Sequence, residues 1–94
     1  MGYEWLSLAL DSLAGIAPSE VTQVLAGKRR WPRMATDPGT GITVLTIWGR
    51  TQAGRPLIVA IREIGELEWQ IVGARPVQLG ELPEFEEWEA KSDD

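Results

Sequence analysis

Between positions 42 and 75 the chain carries three tracts rich in β-branched and aromatic residues, separated only by brief turn signals. Residues 42–49 (ITVLTIWG), 56–64 (PLIVAIREI) and 68–75 (EWQIVGAR) read as strands. The links through Ala53-Gly54 and Gly65-Glu66 are short, so the three strands form an antiparallel meander. Both faces of the first tract are apolar: Ile42, Val44 and Trp48 on one, Thr43, Leu45 and Ile47 on the other. That pattern belongs to a central or doubly covered strand. Pro56 stands at the start of its strand, where a missing N–H is tolerated, and Gly73 marks a bulge or a close approach.

The flanks read as helices. Trp5, Leu6, Ala9, Leu10 and Leu13 recur at helical spacing, with Gly15 as the stop. A second short helix opens at Pro18, carries Val21, Val24 and Leu25 on one stripe, and ends at Gly27. KRRWPRMATDPGTG (28–41) then reads as a long loop from its Pro and Gly content. Pro83 opens a last helix, with Phe85 and Trp88 as its apolar side and Glu84, Glu86, Glu87 and Glu89 outward. The expected fold is α+β: two N-terminal helices, a three-stranded antiparallel meander and a short C-terminal helix, in the order α-α-β-β-β-α. With 94 residues the expectation is a single domain over 1–91 and a frayed tail at 92–94.

The sequence contains no Cys and no His, which removes disulfides, thiolate or imidazole metal sites, Cys nucleophiles and the Ser-His-Asp triad. No Asp/Glu spacing suggests a metal, and no cofactor motif is present. No apolar run reaches the ~20 residues of a membrane span, and MGYEWLSLAL lacks a basic leader region, so the expected compartment is the cytoplasm. The formal charge is −5, unevenly spread. Residues 28–62 hold seven Lys/Arg against Asp37 alone, whereas 63–94 hold ten acids against Arg75 and Lys91. A basic middle and an acidic end imply either a polyanion site or an internal charge match.

If Gly65-Glu66 is a two-residue turn, Arg62 faces Trp69, and Arg62, Trp69, Ile71 and Arg75 share one sheet face; with Ala53-Gly54 as the first turn, Leu45 lies across from Arg62 on that same face. The second face then carries Ile42, Val44, Trp48, Leu57, Val59, Ile61 and Val72. Arginines on a half-apolar face need anions. Glu84, Glu86 or Glu87 of the last helix could supply them, and so could a phosphate, which Arg binds bidentately. Trp5, Trp48 and Trp88 occupy apolar positions and read as core. Trp31, set among Lys28, Arg29, Arg30 and Arg33, either grips a nucleic-acid strand by phosphate contact and stacking or lids the core.

Several landmarks, in order, resemble the BrnT-like ribonuclease toxins of bacterial type II toxin–antitoxin pairs, which have a RelE-like fold. They are Tyr3-Glu4-Trp5, Gly15-Ile16 followed by Ser19-Glu20-Val21, Gly49-Arg50-Thr51, Gly54-Arg55-Pro56-Leu57-Ile58-Val59, Ile71-Val72-Gly73-Ala74-Arg75, and Glu81 with Phe85 or Trp88. The resemblance implies metal-independent RNA cleavage, in which a base activates a ribose 2′-OH and arginines stabilise the phosphorane. By match, Arg75 would stabilise the phosphate and Glu63 would be the base; Arg62 and Lys28, which do not fall on firm motif positions, are further candidates for phosphate stabilisation. Lys28, Arg29, Arg30, Trp31, Arg33 and Trp69 would contact RNA. It also implies a small antitoxin-like protein partner. The chain departs from the family's pattern at Ile61, where His or Tyr is common, and at Ala14, where His is common. Those departures leave a second reading open: a non-catalytic protein-interaction domain whose arginines pair with its own acidic helix, with Trp31, Trp69 or an edge strand as the contact.

Overall fold

The three central tracts do become consecutive antiparallel strands, but they sit in a five-stranded mixed sheet rather than a three-stranded meander. The computed structural model describes residues 2–11, 13, 15–36 and 41–91. Its elements are β1 (Gly2–Trp5), α1 (Ser7–Asp11), α2 (Pro18–Ala26), β2 (Arg30–Thr36), β3 (Thr43–Arg50), β4 (Pro56–Gly65), β5 (Glu68–Pro76) and α3 (Leu82–Lys91). The sheet order is β1-β5-β4-β3-β2, with β1 parallel to β5 and every other pair antiparallel. The expected α-α-β-β-β-α order is therefore wrong at two places, both at sheet edges. The frayed tail expected at 92–94 lies outside the described residues.

Tyr3-Glu4-Trp5, expected to lead into the first helix, pairs with Trp69, Gln70 and Ile71 instead. Aromatic residues favour a pleated, half-buried surface. The helix that follows is cut to a single turn. Half of the expected loop is β2, in register with β3 from Arg30↔Gly49 to Thr36↔Thr43. Pro32 argues against a central strand, but an edge strand can hold it because only one side of the backbone must donate.

Side chains alternate between two cores. On one side α2 lays Val21, Val24 and Leu25 over Ile47, Leu57, Val59, Ile61 and Ile71. The approach is close at Gly49, where a Cβ would lie 3.0 Å from Val24 Cγ1. On the other side α3 presses Phe85 onto Trp48 and Ile58, with Trp31, Val77, Leu82 and Trp88 around them. The doubly covered character expected of β3 is what the sheet shows. The Ala17 amide donates to Glu20 Oε1 at 2.9 Å, satisfying one free donor at the start of α2.

The expected register is corrected by one residue in each hairpin. The β4–β5 turn falls on Glu66-Leu67, not Gly65-Glu66, with Leu67 at φ +61° and Gly65 opposite Glu68. Arg62 consequently faces Gln70, Glu63 faces Trp69, and Leu45 faces Ile61 rather than Arg62. A one-residue slip exchanges the faces. Trp69 and Ile71 thus join the α2 core, while Trp48 lies on the side opposite Leu57, Val59 and Ile61. A further register shift between Ala60 and Ile61 returns Arg75 to the face of Arg62.

Candidate functional site

The α3 side of the sheet holds a grid of defined composition. One row across the strands is Trp31, Trp48, Ile58 and Arg75; the next is Arg33, Thr46, Ala60 and Gly73. One row further on, Arg62 lies beside Gln70. Arg33, Arg62 and Arg75 therefore share one face around a floor of small residues, with backbones roughly 12–16 Å apart at ordinary strand spacings. The shared face of Arg62 and Arg75 agrees with the sequence expectation, but Trp69, Ile71 and Leu45 are not on it.

The basic face is already met by anions from α3 and the link before it. Arg75 makes a two-pronged pair with Glu81, Nη1 to Oε1 at 2.6 Å and Nη2 to Oε2 at 2.8 Å. Arg50 holds Glu89 in the same way, Nε and Nη2 each at 2.8 Å. Arg33 pairs with Glu84, and its guanidinium stands 4.5 Å from the centre of the Trp31 ring. Arg29 donates to the Glu89 carbonyl and lies 5.7 Å from the Trp88 ring centre. Trp31 and Trp88 stack with centroids 5.5 Å apart and planes within 5°. The internal charge match read from the sequence is present: of the expected carboxylates Glu84 takes part, on Arg33, while Arg75 and Arg50 are met by Glu81 and Glu89 instead. Arg50 has no site role in the sequence expectation beyond its place in the Gly49-Arg50-Thr51 landmark. The signal for it was the surplus of cations in 28–62 facing the surplus of acids beyond.

Electrostatics follow the geometry. The Arg75 guanidinium is the main cause of Glu81's acidity, and the Gln78 amide adds to it against partial burial; together they hold its carboxyl at about 2. Glu89 is likewise held below the usual carboxylate range by its hydrogen bonds from Arg50. Both arginines are pushed up in turn.

The expected trio does not assemble. Glu63, opposite Trp69, points to the face away from Arg62 and Arg75. Arg62 donates through Nε to Gln70 Oε1 at 2.7 Å. Lys28 and Arg30 belong to the α2 side. There they rim an open cleft of about 350 Å³ floored by Leu45, Ile47, Ile61 and Trp69. Arg30 donates to the Leu25 carbonyl and, at 3.5 Å, pairs with the Tyr3 hydroxyl. Among the described residues no cluster of Asp and Glu could hold a metal, and no helix is long and apolar enough to cross a membrane.

No protein family, characterised protein or solved structure matches the chain. The toxin resemblance thus rests on the motif residues alone.

Proposed function

We propose that this chain is a non-catalytic protein-interaction domain. The observation that carries the reading is the Arg75–Glu81 clasp: the guanidinium best placed for a phosphate already holds a carboxylate in the geometry a phosphate would take. The carboxylate in contact with it is ill suited to proton transfer. A carboxylate held at about 2 is a poor general base near neutrality, and Glu63 is on the far face. The acids of α3 lie over the same end of the sheet and would repel a phosphate backbone.

RNA cleavage keeps one supporting observation, the sharing of a face by Arg33, Arg62 and Arg75 over small residues. The two readings separate in one assay. A long mRNA, with and without ribosomes, is incubated with the native chain and with Arg75→Ala. The interaction reading expects no cleavage by either protein and no difference in RNA retention. Cleavage by the native chain that Arg75→Ala abolishes would replace it with the ribonuclease reading.

A further inference from the structure

On the α2 side the sheet is only half covered. α2 lies over the Gly49 end, and α1 is a single turn. Beyond them lies the cleft bounded by Lys28, Arg30 and Tyr3, in whose floor Ile47 and Ile61 are already buried while Leu45 and Trp69 stay partly exposed. The opening continues past Leu45 and Trp69 into a second depression of about 370 Å³ that adds Met34, Ile42 and Thr43, with Arg62 and Glu63 at its far edge, so the uncompensated positive charge is confined to the Lys28/Arg30 end. Met34 is 68% exposed and Ile42 47%. An apolar sheet face of this kind needs a covering layer.

Charge specifies what covers it. Arg33, Arg50, Arg55, Arg75 and Lys91 each form an ion pair with a Glu of the same chain. Lys28 and Arg30, at the rim, have no carboxylate partner among the described residues. Layer geometry specifies the shape, since a helix laid on Leu45 and Trp69 would continue the layer that α2 begins. The opposite face shows the same recognition chemistry in use, with α3 seating Phe85 and Trp88 on the sheet and its glutamates on arginines. Among the described residues a second copy offers no long amphipathic helix: Phe85 of α3 and the Val21, Val24 and Leu25 stripe of α2 are already buried, and α1, which exposes Leu8 and Leu10, is a single turn.

We infer that the cleft between Lys28/Arg30 and Trp69 receives an amphipathic helix of a separate protein, with an apolar stripe and acidic flanks. This rests on the interaction reading and names its surface and its partner's chemistry. The seat is a helix-in-groove arrangement in which the stripe fills the floor and the acids meet the rim.

The test uses the full chain and three capped 16-residue peptides labelled for fluorescence anisotropy. One carries Leu at helical spacing with Glu on its flanks, the second replaces every Glu by Lys, and the third scrambles the first. The first is expected to bind, to lose about tenfold in affinity with Lys28→Glu, and to shift the Trp69 indole signal in NMR. Met34→Glu, at an exposed position, should also weaken it without changing the melting temperature. Equal binding of the Lys or scrambled peptide, indifference to Lys28→Glu, or competition by single-stranded RNA would overturn the inference. So would a dimer of the native chain that Lys28→Glu dissociates, since the occupant would then be a second copy. The RNA assay with Arg75→Ala addresses the other face, so failure of the cleft and failure of the interaction reading are told apart.

Discussion

Glu81 accepts both Arg75 Nη donors and, at 3.0 Å, the Gln78 amide. Its carboxyl is therefore held at about 2 instead of 4.5. A carboxyl depressed in the folded state contributes stability that is fully present above its unfolded value and is lost as pH falls through the folded one. Glu89, also depressed, has the same sign. Arg75 is 48% exposed, so solvent screening limits the contribution to about 1 kcal/mol. Urea unfolding of Glu81→Gln should give that loss at pH 7, and its stability should fall less than the native chain's between pH 4.5 and 2. An unchanged pH slope would mean that Glu81 is not the group responsible. Arg75 was legible in the sequence as an arginine that must find an anion. Its partner was not, because the choice among five nearby glutamates depends on where the link at 77–81 turns into α3.

Strand existence was legible for β3, β4 and β5 because each is rich in β-branched and aromatic residues and is bounded by turn signals. Register was not, since it depends on which two residues form each turn. At the β4–β5 turn Leu67 adopts φ +61°, a conformation costly to a side chain with a Cβ. Its 64% exposure means that little packing offsets the cost. Leu67→Gly should raise stability by up to about 1 kcal/mol, read as a higher melting temperature with the β4–β5 pairings unchanged. The β3–β4 turn has already placed glycine where it is needed, Gly54 at φ +90°. β1 and β2 were illegible for a different reason. Each is an edge strand whose composition, Gly-Tyr-Glu-Trp and a cationic tract around Pro32, gives no strand signal until a neighbour supplies the pairing.

Across the whole molecule the two faces of the sheet are covered by different means. α2 is sewn into the core by aliphatic side chains that are fully buried. α3 meets the sheet through Phe85, a stack of Trp88 on Trp31, and the Arg–Glu pairs. Removing Trp88 leaves Trp31 unstacked and the pairs without an apolar backing, so α3 should open independently of the rest. Hydrogen exchange of Trp88→Ala should therefore accelerate in Leu82–Lys91 while β3 and β4 keep native protection. Equal acceleration in both would mean that α3 and the sheet unfold as one unit. The same division fixes the molecule's sign. Residues 77–94 contain seven acids and one lysine, so a protease that clipped the chain after Pro76, at the end of β5, would carry the formal charge from −5 to +1. The anion-exchange behaviour of the intact protein belongs to the segment that follows β5, and the trimmed remainder would be retained on the opposite resin with its arginine face bare.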